Sequence, residues 1–176
     1  MLFRSTCCIV LLGISINIDV LKYFIGEDFW VGLSIVPILL VAYLFLGVYY
    51  NFSVWFKLTD KTYYGTWITV GGAFITIVTN YLLIPILGYT GSAWAALACY
   101  FSMMVACFAL GQKNYPIPYK IIPSLAYLMI TLLIIYSSSL IEFPNQTSAT
   151  TFHVLIIGAF IGISYLFERK NLKQEG

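Results

Sequence analysis

Six apolar stretches fill almost the whole chain, and the few charged residues lie between them. A helix needs roughly 20 mainly apolar residues to cross a hydrocarbon core about 30 Å thick, and all but the last stretch reach that length. Hydrophobic residues make up 61% of the chain and charged residues only 9%. The sequence therefore predicts an all-α fold, a polytopic transmembrane helix bundle in a single domain over residues 1–176, ending in a cytoplasmic tail, 168–176. The expected spans are 5–25, 31–54, 65–87, 92–111, 121–141 and 152–167.

The basic residues predict the orientation of these spans. If the amino terminus is cytoplasmic, eight of the nine lysines and arginines fall on the cytoplasmic side: Arg4, Lys57, Lys61, Lys113, Lys120, Arg169, Lys170 and Lys173. Lys22 lies outside, together with the acidic Glu27, Asp28 and Glu142. This bias follows the positive-inside rule, and aromatic residues cluster at both sets of span ends, as interfacial belts do. We expect a multi-pass membrane protein with both termini in the cytoplasm.

The amino-terminal stretch shares features with a secretory signal peptide, because Arg4 precedes an apolar run. That run extends to Ile25, contains Asn17, Asp19 and Lys22, and has no clear small-residue cleavage site before the next span. These features favour a first transmembrane helix.

No grouping for catalysis or metal binding occurs in the sequence. His153 has no acidic residue or cysteine close to it in the sequence, and no Gly-Lys-Ser/Thr element of a phosphate-binding loop is found. The cysteines lie within spans without metal-ligand spacing, which favours packing roles: Cys7, Cys8, Cys99 and Cys107. We expect no enzymatic activity, no metal, no cofactor and no nucleic-acid partner.

Asp19 and Lys22 are spaced to pair along one face of the first span. One interpretation is an interfacial ion pair with Lys22 reaching toward the headgroups. The alternative is an ion-coupling site, with Asp19 at the edge of an aqueous cavity.

Amide and tyrosine side chains form the second candidate site. Tyr49, Tyr50 and Asn51 lie at the cytoplasmic end of the second span, and Asn80 lies within the third. Such groups either hold helices together by hydrogen bonds or line a substrate pathway, where amide and aromatic groups suit carbohydrate hydroxyls.

Short connections and small residues predict mutually packed helices. Gly88-Tyr-Thr-Gly91 is so tight that the third and fourth spans should form an antiparallel hairpin. Gly72, Thr76 and Asn80 recur every four residues, as do Gly91 with Ala95, or alternatively Ser92 with Ala96. Pro37 is expected to kink the second helix.

Three segments resemble the carboxy-terminal half of bacterial polysaccharide biosynthesis proteins of the Wzx flippase type, within the superfamily of multidrug, oligosaccharidyl-lipid and polysaccharide exporters. The first segment runs from Pro37 to Thr62. The second comprises Asn80-Tyr-Leu-Leu-Ile-Pro85 and Gly88-Tyr-Thr-Gly91-Ser-Ala-Trp-Ala-Ala, and the third is Gln112-Lys-Asn-Tyr-Pro-Ile-Pro-Tyr119. The resemblance covers nearly all of this chain and less than half of the family's length.

The resemblance implies alternating access by two helical lobes that move a polyprenyl-pyrophosphate-linked oligosaccharide between leaflets for surface polysaccharide such as the O-antigen of lipopolysaccharide. The resemblance also implies a location in the bacterial cytoplasmic (inner) membrane and basic groups in the cavity for the anionic head of the substrate. The spans of this chain contain no arginine, and their only lysine is peripheral. This chain would then need a missing amino-terminal lobe or partner chain. Two alternatives remain. A cation-coupled drug or small-molecule antiporter of the same superfamily is favoured if Asp19 titrates, and a structural membrane subunit would handle no substrate.

Overall fold

The computed structural model of the chain describes residues 2–18, 22, 25–114, 121–139 and 151–162, and these residues form helices joined by short turns. In chain order the elements are α1 (Leu2–Ile16), a 3-10 helix (Glu27–Ile35), α2 (Val36–Phe52), α3 (Val54–Leu58), α4 (Tyr63–Leu87), α5 (Tyr89–Asn114), α6 (Ile121–Ser139) and α7 (Thr151–Gly162). Three helical segments in the described part are long and apolar enough to cross a membrane: Phe29–Leu58, Tyr63–Leu87 and Tyr89–Asn114. The fold is an all-α helical bundle, as the sequence predicts.

The chain forms two compact units. We call residues Ser34–Tyr119 the central unit, and Met1–Leu33 together with Lys120–Gly176 the terminal unit. Within the central unit, α5 packs against both α2 and α4. Ring pairs such as Tyr43 with Tyr100 and Phe52 with Phe108 advance together along α2 and α5, so these two helices run parallel.

A stripe of mostly small residues on α5 forms the centre of this unit. Every fourth residue from Gly91 to Gly111 is buried, and the members are Gly91, Ala95, Cys99, Met103, Cys107 and Gly111. Small residues at this spacing let neighbouring helix backbones come close together. The spacing of Gly91 with Ala95 is therefore the one that packs, while Ser92 in the competing pair is exposed.

α4 and α5 form the antiparallel hairpin that the sequence predicts. A Cβ at Gly91 would lie 2.7 Å from backbone atoms of Leu83, and a Cβ at Gly72 would lie 2.7 Å from the sulfur of Met103. The thiol of Cys99 also donates to the Gly72 carbonyl at 3.3 Å. Gly88 makes the turn between the helices with φ +60°, a left-handed conformation that glycine adopts without steric cost.

The short helix α3 places two aromatic rings beside two glycines. A Cβ at Gly111 would lie 2.9 Å from the indole nitrogen of Trp55, and a Cβ at Gly65 would lie 3.0 Å from the Phe56 ring. The two rings meet edge to face with centroids 5.5 Å apart. Because Trp55 is only 1% exposed, these glycines give the end of α2 a fixed position against α4 and α5.

The terminal unit packs with large side chains. Cys8, Leu12 and Ile16 of α1 form a buried cluster with Phe160 of α7. Tyr127 of α6 meets Phe160 edge to face at a centroid distance of 6.5 Å. The hydroxyl of Ser138 and Nε2 of His153 are hydrogen-bonded at 3.2 Å, which links α6 to α7.

The helix ends differ from the expected span ends in two informative places. α1 ends at Ile16, where the side-chain amide of Asn17 donates to the Gly13 carbonyl at 3.0 Å. Pro37 lies in the first turn of α2, directly after the 3-10 helix, where its missing N–H costs no helical hydrogen bond. Pro37 therefore marks the change from 3-10 to α geometry and does not kink the interior of α2.

Candidate functional site

An open groove of about 440 Å³ lies in the central unit between the end of α2, α3 and the start of α4. Most of its lining side chains are polar or aromatic. We call it the α2–α4 groove, and it is lined by Tyr49, Tyr50, Ser53, Phe56, Lys57, Thr62, Gly65, Thr66, Thr69 and Val70.

The groove exists because two helices present polar residues at helical spacing toward each other. Thr62, Thr66 and Thr69 follow one face at the start of α4. Across from them, Tyr49 and Ser53 lie four residues apart, and the chain then turns into α3. Phe56 packs against Gly65 and forms the apolar part of the lining.

Part of this polar lining is already satisfied within the protein. Tyr49 is only 6% exposed and lies beside Thr69 in the lining. The Thr69 hydroxyl donates its proton to the Gly65 carbonyl at 2.8 Å. Ser53 likewise donates to the Tyr50 carbonyl at 2.7 Å. These bonds fix the wall of the groove and leave those groups little capacity for a ligand.

Four other polar groups of the groove remain available. Among the residues that the structure describes, the ammonium of Lys57 and the hydroxyls of Tyr50, Thr62 and Thr66 have no hydrogen-bonding or ion-pair partner. All four residues are exposed. A concave site with a few convergent polar groups on an otherwise apolar protein is the usual form of a ligand site.

The sequence-predicted pathway residues separate into two sets. Tyr49 and Tyr50 line the α2–α4 groove, with ring centroids 5.5 Å apart. Asn51 is exposed, does not line the groove, and donates from its amide to the Gly47 carbonyl of its own helix at 3.0 Å. That bond does not join two helices.

Asn80 lies on α4 away from the groove lining. Its Oδ1 atom is buried, and no hydrogen-bond donor reaches it within the described part of the chain. An unsatisfied buried amide oxygen is uncommon and costs roughly 1–3 kcal/mol. Asn80 and the groove tyrosines are therefore not brought into one site by the described contacts.

Of the predicted pair of Asp19 and Lys22, only Lys22 lies within the described residues. Lys22 lies in a turn after the end of α1, and its carbonyl accepts from the Ile25 amide at 3.4 Å. Asp19 lies outside the described residues. The ion-coupling role of this pair stays a prediction.

Sequence reasoning missed the groove residues contributed by α4 and α3. The sequence pattern marks Lys57 only as a charge that sets topology, and it predicts no role for Thr62 and Thr66. Their spacing of four residues at the start of an apolar helix was the available signal. It could not be interpreted without knowing that α2 ends opposite that face.

The described residues do not form a metal site built from His, Cys, Asp or Glu side chains. Within the described residues, no group of three or more His, Cys, Asp or Glu side chains is positioned to hold a metal ion. The groove instead offers hydroxyls, aromatic rings and one cation.

The chain matches no protein-family model, no curated protein and no solved structure.

Proposed function

We propose that this chain is the carboxy-terminal part of a flippase that moves a polyprenyl-pyrophosphate-linked oligosaccharide across the bacterial cytoplasmic membrane during surface polysaccharide assembly. The observation that supports this proposal most directly is the α2–α4 groove, a largely apolar concavity that carries hydroxyls, aromatic rings and one ammonium between helices of membrane-spanning length. Within a bilayer such a groove accommodates polar parts of a substrate that the lipid tails exclude.

The groove has the chemistry that an oligosaccharide requires. Sugar hydroxyls both donate and accept hydrogen bonds, and Tyr50 and Thr66 present hydroxyls that can do the same. The rings of Tyr49 and Tyr50 add flat apolar faces beside those hydroxyls. The substrate pathway in this proposal passes along Tyr50 and Thr66, with Tyr49 as the buried wall of the groove.

The resemblance to the flippase family falls on the same unit. The segments Pro37–Thr62, Asn80–Pro85, Gly88–Ala96 and Gln112–Tyr119 all lie within Ser34–Tyr119, and the first of them supplies six of the ten residues that line the groove. The proposal includes a cytoplasmic location for both termini and for the loop around Lys57, from the distribution of basic residues. It also includes an amino-terminal lobe or partner chain that completes the transporter.

Complementation of a flippase-deficient bacterial strain tests the proposal. Expressed alone, the chain should insert in the membrane without restoring surface polysaccharide. Restoration should require co-expression with an amino-terminal lobe. Complementation by this chain alone, or a failure of every lobe tested, would count against an incomplete flippase.

Groove variants in the complementing pair give a sharper test. Tyr50→Leu and Thr66→Val should each lower the amount of surface polysaccharide several-fold, because each removes a hydroxyl from the pathway. Tyr81→Leu is the matched control, since Tyr81 is 81% exposed on α4 and lies outside the groove. Equal losses in the groove variants and in Tyr81→Leu would remove the groove from the pathway.

A further inference from the structure

The cationic end of the α2–α4 groove has a chemistry different from that of its tyrosine wall. At this end Lys57 and Thr62 line the groove, and neither has a side-chain partner among the described residues. An ammonium and a hydroxyl together form a donor set that suits a phosphate group. The tyrosine wall alone would favour no anion.

The local charge supports an anionic occupant. The segment from Lys57 to Thr62 contains two lysines and one aspartate, Asp60, for a net charge of +1. α4 begins at Tyr63, no acidic residue lies in its first turn, and the Thr62 side chain makes no capping hydrogen bond. The positive end of the helix dipole therefore has neither a Thr62 cap nor a first-turn acid, and it lies at the lysine end of the groove.

The surroundings of this end are apolar and exposed. Leu58 and Trp67 are each 72% exposed, and Val70, which also lines the groove, is 55% exposed. A free anion in water would gain nothing from these side chains. An amphipathic ligand would place its phosphate at Lys57 and its apolar tail along Val70 and Trp67.

We propose that this end of the groove binds the phosphodiester headgroup of an anionic bilayer phospholipid, as a resident lipid distinct from the transported substrate. Lys57 pairs with the phosphate, Thr62 donates to one of its oxygens, and the acyl chains lie against the exposed apolar face of α4. Anionic lipids concentrate in the cytoplasmic leaflet, the side on which the basic residues place Lys57.

Native mass spectrometry of the purified, delipidated full chain tests this site with two probes, phosphatidylglycerol and phosphatidylcholine. The wild-type chain should retain phosphatidylglycerol in preference to phosphatidylcholine. Lys57→Gln should weaken phosphatidylglycerol binding by about tenfold, since it removes a charge-assisted hydrogen bond, and Thr62→Val by a smaller factor of about fivefold.

Two controls make the test specific. Lys61→Gln removes an exposed charge from the same loop without touching the groove, and it should retain binding within about twofold. Equal losses in the Lys57 and Lys61 variants would show loop charge alone and overturn the site. Added inorganic phosphate should not displace the lipid at similar concentration, and displacement would identify a soluble anion as the ligand.

The outcome does not depend on transport. Lipid retention is measured on the isolated chain, so a failure of complementation with intact phosphatidylglycerol selectivity would leave the lipid site standing. Equal retention of the two lipids by the wild-type chain would overturn the lipid site and leave the flippase proposal to its own test.

Discussion

The two units of this chain differ in how closely other residues pack against their glycines. In the central unit, Gly91, Gly111 and Gly72 each lie where a Cβ would come within 3 Å of a neighbouring residue. In the terminal unit, Gly13, Gly158 and Gly162 have no such neighbour within 4 Å, and large side chains such as Leu12 and Phe160 make the contacts. The presence of a glycine in a helix of this chain is therefore not enough to predict a close helix contact. The contact is found only at those glycines against which a neighbouring residue packs.

This difference has consequences for how each unit responds to mutation. At Gly91 and Gly111 the packing tolerates little added volume, because the obstructing atoms belong to the Leu83 backbone or to the Trp55 ring, whereas at Gly72 they belong to the side chains of Met103 and Cys99. Helices that pack through leucine, isoleucine and phenylalanine lose stability when side chains are shortened. Replacements in the two units should separate these cases.

The largest effect is expected at the aromatic pair on α3. Trp55→Ala removes a side chain that is 1% exposed and leaves a cavity against Gly111, which should lower the free energy of unfolding by about 4 kcal/mol. Denaturant titration in detergent micelles measures the change. Trp67→Ala is the control, since Trp67 is 72% exposed, and it should change stability by less than about 1 kcal/mol. Equal effects at the two positions would contradict the packing of α3.

A smaller loss is expected from adding one methyl group at the α4–α5 hairpin. Gly91→Ala would bring its Cβ to 2.7 Å from the carbonyl carbon and oxygen of Leu83, so the helices must separate. We expect a loss of about 2 kcal/mol in the same titration.

The matched variants for Gly91→Ala come from both units. Gly71→Ala on α4 and Gly13→Ala on α1 meet no atom within 4 Å. They should leave stability unchanged or raise it by about 0.5–1 kcal/mol, because alanine favours a helix more than glycine does. A loss at Gly13 as large as that at Gly91 would remove the distinction between the two units.

The smallest effect concerns the polar link in the terminal unit. Ser138→Ala removes the hydroxyl that is hydrogen-bonded to His153, and such bonds between membrane helices contribute about 0.6 kcal/mol on average. Ser137→Ala is the control, because Ser137 is exposed and donates only to the Leu133 carbonyl of its own helix. No difference between the two variants would show that the link between α6 and α7 does not stabilise the unit.

Much of the helical architecture follows from local properties of the chain. The third and fourth expected spans, 65–87 and 92–111, correspond to Tyr63–Leu87 and Tyr89–Asn114. The glycine turn between them predicts the antiparallel hairpin, because a connection this short leaves the two helices side by side. Gly88 makes the turn with a positive φ, which glycine adopts readily. The aromatic and amide cluster at the end of the second span predicts only part of the groove, namely Tyr49 and Tyr50.

The remaining groove residues could not be assigned by the same reasoning. Lys57 and Thr66 are separated by a turn, and their proximity depends on Phe56 packing into the space left by Gly65. Asn51 shows the converse case. It follows the two tyrosines directly in the sequence, yet it is exposed and bonds within its own helix, because successive helical residues point in different directions.

The sequence by itself determined that this protein is built of apolar helices, because helix hydrogen bonds close within each segment and apolar length depends on composition alone. It also determined the turn at Gly88. Only the tertiary structure decided which face of each helix is buried. Gly91 with Ala95 and Ser92 with Ala96 fit the same spacing, and the first pair packs because Leu83 lies against it. That choice depends on the register between two helices, which no single segment encodes.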